Sequence, residues 1–188
     1  MTPSLPSPLG QRIIVVGATG SGKTTLARHL AQQSGLPHVE LDALHWGPNW
    51  TLPPREEFRQ RVAEALSGPR WVTDGNYSKA RDITWQRADC LIWLDYSLAL
   101  VWWRLFWRAL RRIRQREELW GNNRESWRGQ FFSRDSLFLF AVTSRRKHHR
   151  EYPGLLDQPE YAHLQVYRFR SPRQTERWLR EAGLDREG

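Results

Sequence analysis

The residues best suited to chemistry form a glycine-rich run between Gly17 and Thr25, which reads GATGSGKTT. The run matches G-x-x-x-x-G-K-[ST] in full, a pattern in which backbone N–H groups surround phosphates, the lysine reaches the β- and γ-phosphates, and the next hydroxyl ligates Mg²⁺. A glycine turn that binds nothing is the alternative, and it leaves the lysine and the threonine without a role. We therefore expect ATP with Mg²⁺ to bind at Gly17, Ala18, Thr19, Gly20, Ser21, Gly22, Lys23, Thr24 and Thr25.

Two aspartates follow short apolar runs further along the chain, Asp42 after VEL and Asp74 after WVT. Ligands of open α/β sheets bind at the carboxyl ends of strands, so both carboxylates are expected on the side of the glycine loop. Asp74 suits Mg²⁺ together with Thr24, whereas Asp42 suits an acceptor, from which it would take a proton or whose hydroxyl it would bind. The alternative for each is a turn or a helix cap. Asp95 directly precedes a helical pattern, and we expect it to be an N-cap.

The elements that would position these residues are indicated by short apolar runs that alternate with helical spacing. Ser171, Pro172 and Gln174 mark the start of the last helix, and Gly183 marks its end. Five strands alternating with helices predict a three-layer α/β domain with a parallel sheet. The predicted strands are 12–16, 36–41, 71–74, 90–94 and 164–169. The predicted helices are 23–35, 58–66, 79–87, 98–114, 134–149 and 171–183, with loops at 42–54 and 118–129.

Positive charge is concentrated in one part of the chain. Residues 104–150 contain thirteen Lys or Arg and four Asp or Glu, which accounts for the whole formal net charge of +9. This segment is expected to meet something anionic: the phosphates of a nucleotide held by a lid, a nucleic-acid backbone or a membrane surface. The basic run 145–150 could form a nucleic-acid patch, but cations are also favoured at the carboxyl end of a helix. Nucleic acid is therefore not the favoured partner.

The compartment is indicated by cysteine usage and by the apolar segments. Cys90 is the single cysteine, so a reducing compartment, and hence the cytoplasm, is expected. Residues 1–11 have no signal-peptide pattern and are expected to be a disordered lead-in to one domain over 12–188. The most apolar stretch, 98–110, is interrupted by Arg104 and Arg108 and is too short to cross a bilayer, so no membrane association is expected.

Several segments together make the chain resemble the adenylate-kinase-like P-loop kinases, and more closely the group among them labelled topology modulation proteins. They are GATGSGKTT, LDALHWGPNW, VTDGNY, IWLDY and the arginine-rich helix, and the resemblance covers residues 12–179. It implies a P-loop NTPase fold of the nucleoside- and nucleotide-kinase type. It also implies an acceptor-binding excursion at about 42–70 and a small arginine-rich lid at about 112–130.

The same resemblance assigns roles to individual residues. Adenylate kinases carry Asp-Gly-Phe-Pro-Arg at the end of the third strand, where the aspartate helps to hold Mg²⁺ and the arginine binds the acceptor's phosphate. Asp74 and Gly75 fit this pattern, but Ser78 stands where the arginine is expected, which argues against adenylate as the acceptor. The lid arginines are expected to be Arg112, Arg116 and Arg124. The acceptor is expected to contact Asp42, Trp46, Trp50, Asn76, Tyr77 and Arg81.

The eleven tryptophans are mostly expected in the core. Trp46 and Trp50 are the exceptions, because they lie in a polar loop beside Asp42, where a ring could stack on a base or sugar of the acceptor.

The favoured function is a kinase that moves the γ-phosphoryl group of Mg-ATP to a nucleotide or a small hydroxylated acceptor. Lys23 and Thr24 would bind the triphosphate, Asp74 the metal and Asp42 the acceptor. The alternatives are a nucleotide-dependent protein that interacts with DNA, as the topology modulation label suggests, and an NTPase without a small-molecule acceptor.

Overall fold

Strands and helices mostly alternate along the described residues, except that two helices are consecutive after the second strand and two short strands are consecutive after the fifth helix. A computed structural model describes residues 10–48, 51–115, 118–119, 123–124 and 137–184, without the side chains of 109, 111–115, 118–119, 123–124 and 137–138. In chain order the strands are β1 (Arg12–Gly17), β2 (His38–Glu40), β3 (Trp71–Asp74), β4 (Cys90–Leu94), β5 (Glu118–Leu119), β6 (Asn123–Arg124) and β7 (Gln165–Phe169). The helices are α1 (Lys23–Ser34), α2 (Leu41–His45), α3 (Arg55–Ala65), α4 (Arg81–Arg87), α5 (Leu98–Gln115), α6 (Leu137–Leu156) and α7 (Pro172–Glu181).

Five parallel strands form the central sheet in the order β2-β3-β1-β4-β7, which confirms the predicted fold class. The register places Asp74 beside Val15 of β1 on one side and beside Glu40 of β2 on the other. Gly17 lies beside Leu94 of β4. The carboxyl ends of β1 and of its two neighbours, β3 and β4, therefore meet at the edge where the glycine loop begins, with β2 next to β3.

Apolar residues cover the sheet on both faces. Ile13 and Val15 of β1 pack on one side with Leu30 of α1, while Ile14 and Val16 pack on the other side with Phe58 of α3. This alternation follows from the two-residue period of a strand and produces the predicted three layers.

The tryptophans divide between the core and the surface, so the prediction that most lie in the core was only partly right. Trp71, Trp85 and Trp93 are buried, as expected. On α5, however, the buried line runs through Val101 and Leu105, which pack toward the sheet. The neighbouring aromatic residues of this helix are exposed instead: Trp102, Trp103, Phe106 and Trp107.

Several predicted boundaries were wrong, each for a local reason. β2 is shorter than predicted at both ends. The N–H of Leu36 donates to the carbonyl oxygen of Ala31 and so belongs to the cap that follows α1, and Leu41, predicted as the last strand residue, begins α2, which continues into the predicted loop. Residues 118–119 and 123–124 of another predicted loop form an antiparallel pair. α6 extends past residue 149 because Tyr152 is buried against Trp85 and Trp93.

The last helix follows its predicted signals. The Ser171 hydroxyl accepts a hydrogen bond from the N–H of Gln174, whose side chain accepts from the N–H of Arg170 at 2.7 Å. Gly183 follows the helix with a φ of 65°, which favours glycine. In the part of the chain that the structure describes, no helix combines the length and the apolar character needed to cross a membrane. The predicted lead-in lies almost wholly outside the described residues.

Candidate nucleotide-binding site

The glycine loop connects β1 to α1 and exposes the amino terminus of that helix. Gly20 and Gly22 have φ values of 81° and 93°, a left-handed backbone that favours glycine. A Cβ at Gly20 would lie 2.7 Å from Cγ of Leu105, so α5 packs directly on the loop. Gly22 is the N-cap residue of α1 and has no side chain to bind the first N–H groups of the helix. Free N–H groups and the helix dipole together favour a phosphate here.

Two polar side chains fix the loop from outside. Arg104 of α5 donates from Nη1 to the carbonyl oxygen of Ser21 at 2.7 Å, while its guanidinium lies 5.3 Å from the ring centre of Tyr96. Asn76 accepts a hydrogen bond from the N–H of Gly17 at 3.0 Å and donates from Nδ2 to the carbonyl oxygen of the same glycine. Asn76 was expected to contact the acceptor, but both atoms of its amide are engaged by the loop backbone.

Asp74 and Thr24, the two expected metal ligands, are in direct contact. Thr24 Oγ1 donates to Asp74 Oδ2 at 2.6 Å, and the Asp74 side chain is only 1% exposed. The contact exists because Asp74 ends β3, the strand that pairs with β1, while Thr24 lies in the first turn after the loop. A hydroxyl and a carboxylate are oxygen ligands that suit Mg²⁺, which usually takes few protein ligands and completes its shell with phosphates and water.

A second pair of a hydroxyl and a carboxylate lies just after β2. Asp42 falls in the first turn of α2, and its Oδ1 accepts a hydrogen bond from the Tyr77 hydroxyl at 2.6 Å. Burial, and then the charge and hydrogen bond of Asp42, raise the pKa of Tyr77 well above its usual range. Tyr77 therefore stays a hydrogen-bond donor, and it leaves the other Asp42 oxygen for a further partner.

Sequence reasoning missed two residues of this region, His38 and Glu40. His38 Nε2 lies 2.8 Å from Asp74 Oδ1. Burial raises the pKa of the Glu40 carboxyl, and the nearby charges of Asp74 and Asp42 raise it further. The available signal was the period of two in HVE, which places both side chains on the same face of β2 as it approaches Asp42.

The other expected acceptor residues have varied surroundings. Trp46 follows α2 and meets the ring of His45 edge to face at 5.1 Å, while Trp50 lies outside the described residues. His45 also packs against Tyr77, with ring centres 4.4 Å apart. Arg81 pairs with Glu151 at 3.6 Å, and its guanidinium lies over aromatic rings of the core. Arg81 thus already has an anionic partner within the protein.

The expected lid, at about 112–130, lies largely outside the described residues. Arg116 is not described, and neither are the side chains of Arg112 on α5 and Arg124 on β6. Their proposed role stays a prediction.

Asp95, at the end of β4, is a buried ion-pair centre and not the expected N-cap. Ser97 is the N-cap residue instead, because α5 begins at Leu98 and the N–H of Leu100 donates to Ser97 Oγ at 3.4 Å. The Asp95 carboxylate, 3% exposed, instead accepts hydrogen bonds from Arg168 at 2.7 Å and from His149. Arg145 pairs with it at 3.4 Å. Arg145 and His149 of the predicted basic patch therefore contact this buried carboxylate.

Asp95→Asn should lower the free energy of unfolding by about 2–4 kcal/mol, because Arg168 and Arg145 lose their shared counter-charge. Chemical denaturation monitored by far-UV circular dichroism would measure the change. Asp82→Asn is the matched control, since Asp82 forms a comparable bidentate pair with Arg59 but is about half exposed. The control should lose no more than about 1 kcal/mol. Equal losses in both variants would contradict the assignment of Asp95 as a centre of stability.

His148 of α6 gives stability a defined pH dependence. Its ring is buried and stacked on Tyr152 at 4.5 Å, and burial, then the charges of Arg81 and Lys23, lower its pKa to about 4. The unfolded chain then binds this proton more readily, so stability present above about pH 6.5 is lost as the pH falls toward 4, by about 3 kcal/mol. Unfolding measured from pH 7 to 4 should show this loss in the wild type. His148→Phe keeps a stacked ring and should not show this loss of stability. The same dependence of stability on pH in His148→Phe and in the wild type would contradict the assignment to His148.

Comparisons with known proteins bear on this geometry. A family model described as "ATPase family associated with various cellular activities (AAA)" matches residues 13–95, from β1 through the end of β4, which is less than half of the chain. No curated protein matches the chain.

Three solved structures resemble the whole fold. A gluconokinase from Sinorhizobium meliloti 1021 is 19% identical, with a TM-score of 0.51, over 95% of this chain and 93% of that one. A shikimate kinase from Bacteroides thetaiotaomicron is 19% identical, with a TM-score of 0.51, over 93% of this chain and 94% of that one. A shikimate kinase from Acinetobacter baumannii in complex with shikimate is 16% identical, with a TM-score of 0.52, over 87% of this chain and 85% of that one. The five-stranded α/β architecture therefore resembles that of these three kinases.

Proposed function

We propose that this chain is a kinase that transfers the γ-phosphoryl group of Mg-ATP to a small hydroxylated molecule or a nucleotide. The observation that carries the proposal is the 2.6 Å hydrogen bond between Thr24 and Asp74. It joins a complete phosphate loop to a buried carboxylate at the end of the neighbouring strand. Asp42 follows β2, the strand that pairs with β3, and is hydrogen-bonded to Tyr77. It offers a base for an acceptor in the same region.

A cleft beside the loop can receive the nucleotide. It has a volume of about 1040 Å³ and extends from Lys23 and Thr24 between α5 and α7. Trp103 and Trp107 line one wall, and Trp103 is 61% exposed. Large exposed rings beside a phosphate site can stack on a base. We infer that the triphosphate binds the loop and that the nucleoside lies in this cleft.

The metal would be held by Thr24 and Asp74, directly or through water. When bound, Mg²⁺ supplies positive charge to the β- and γ-phosphate oxygens as the terminal bond breaks. Lys23 contributes a second positive charge at the same oxygens. The buried, hydrogen-bonded position of Asp74 keeps its carboxylate in one place while the loop binds the phosphates.

Asp42 would act on the acceptor. The acceptor's hydroxyl oxygen attacks the γ-phosphorus, the bond to the β,γ-bridging oxygen breaks, and the hydroxyl proton passes to Asp42. Tyr77 holds one carboxylate oxygen by donating to it, which leaves the second oxygen for the acceptor. ADP and a phosphorylated acceptor are the products.

The acceptor is more consistent with a small molecule than with adenylate. Ser78 occupies the position where an arginine would bind the phosphate of adenylate, and Arg81 is already paired with Glu151. The resembling structures are named gluconokinase and shikimate kinase, and one of them holds shikimate. Those names support a small-molecule acceptor, while the topology modulation group stays a hypothesis.

The test is ADP release from Mg-ATP across a panel of nucleosides, nucleoside monophosphates and small hydroxylated metabolites. Stimulation by one acceptor, absent in Lys23→Ala, supports the kinase. ATP hydrolysis that no acceptor stimulates favours an NTPase. DNA affinity that persists near 150 mM salt and falls with a log–log slope near −0.9 per phosphate contact favours the DNA-interacting alternative.

A further inference from the structure

We propose that His38 is a positioning residue that orients the Asp74 carboxylate toward the magnesium of bound Mg-ATP. The inference rests on the proposed function and adds a residue that the sequence motifs do not include. Its basis is the 2.8 Å contact between His38 Nε2 and Asp74 Oδ1.

The geometry follows from the pairing of β2 with β3. His38 lies beside Val72, two residues before Asp74, and its side chain reaches along the sheet edge to the carboxylate. Because a carboxylate accepts hydrogen bonds, Nε2 must carry the hydrogen and donate it to Oδ1. Thr24 donates to the other oxygen, Oδ2. Both oxygens of Asp74 are thus held, which fixes the plane of the carboxylate.

The surroundings make this donor important. Asp74 is buried, and the neighbouring Glu40 and Asp42 are also carboxylates whose charges act on the same region. A buried carboxylate needs hydrogen-bond donors to offset its lost hydration and to hold one orientation. Thr24 is itself a proposed metal ligand, so of these two donors only His38 is independent of the ion. Residues that bind and orient a metal ligand in this way typically change metal affinity by 10- to 100-fold when replaced.

The experiment measures ATP binding by calorimetry over a range of Mg²⁺ concentrations, and again in EDTA. His38→Leu removes the donor, whereas the side-chain amide of His38→Gln can replace Nε2–H. Thr73→Val is the matched control, because Thr73 Oγ1 donates to the carbonyl oxygen of Val39 at 2.7 Å between the same two strands without touching Asp74. Loss of this hydrogen bond weakens the connection between β2 and β3 without removing a donor to Asp74.

His38→Leu should raise the half-saturating Mg²⁺ concentration for ATP binding by about 10- to 100-fold, with ATP affinity in EDTA within about threefold of wild type. His38→Gln and Thr73→Val should both stay within about threefold of wild type in Mg²⁺. An unchanged Mg²⁺ requirement in His38→Leu, an equal change in Thr73→Val, or no rescue in His38→Gln would overturn the role of His38. Should His38→Leu fail to fold, His38→Asn, whose shorter side chain keeps polarity but not reach, takes its place under the same criteria.

The wild type separates this inference from the proposed function. ATP binding that is independent of Mg²⁺ in the wild type overturns the proposed metal role of Thr24 and Asp74, and the role of His38 with it. A Mg²⁺ requirement that is present in the wild type and unchanged in His38→Leu overturns the role of His38 alone.

Discussion

Asp42→Asn should lower kcat for phosphoryl transfer by about 10²- to 10⁴-fold, the usual contribution of a positioned general base. Asparagine keeps the size of the side chain and an oxygen that can accept the hydrogen bond from Tyr77, so the fold should be preserved. ATP affinity should change by less than about threefold, because the Asp42 side chain is not among the residues that form the phosphate loop. Steady-state ADP release with the acceptor found in the panel, together with calorimetry for ATP, would measure both quantities.

Tyr77→Phe is the matched control for this prediction. It removes the donor to Asp42 but keeps the aromatic ring that packs against His45 and Phe58. Its kcat should fall by about tenfold, less than that of Asp42→Asn, because the base is still present but less well held. Retention of full acceptor-dependent activity in Asp42→Asn would show that another group accepts the proton, or that the acceptor binds elsewhere.

Lys23→Ala should lower phosphoryl transfer by about 10³-fold, since it removes a positive charge aimed at the phosphate oxygens where negative charge develops. Acceptor-independent ATP hydrolysis should fall in parallel, and ATP affinity should also weaken. Lys147→Ala removes the same charge from an exposed position on α6 and should leave all three quantities within about twofold of wild type. ADP release and calorimetry measure the comparison. Normal ATP affinity and turnover in Lys23→Ala would exclude the glycine loop as the triphosphate site.

The elements that the sequence predicted well are those whose signals are local. β3 and β4 have the predicted bounds, because buried parallel strands are short apolar runs with polar residues at their ends. The cap at Ser171 could be predicted because the residues that make it lie within four positions of one another. The location of Asp74 beside the glycine loop could be predicted from one further rule, that ligands bind at the carboxyl ends of parallel strands, although its direct contact with Thr24 was not predicted.

The features that sequence reasoning missed depend on residues far apart in the chain. Asp95 has a good N-cap environment in sequence, but its partners Arg168 and His149 are brought to it only by β7 and α6. The exposed tryptophans of α5 fit the same helical period as the buried Val101 and Leu105, so spacing alone could not select the inward face. His38 is unremarkable in sequence, because its role depends on the register between β2 and β3.

The Asp95 ion-pair centre also has a consequence for the order in which the chain can fold. Its hydrogen-bonding partners His149 and Arg168 lie 54 and 73 residues downstream, so the end of β4 can be completed only after most of the polypeptide has been synthesised. Closing such long loops costs entropy before any contact is gained, which slows folding. A nascent chain that ends before α6 therefore carries the phosphate loop next to an unpaired carboxylate and an uncovered strand edge. Nucleotide binding is thus expected only once β7 has joined the sheet.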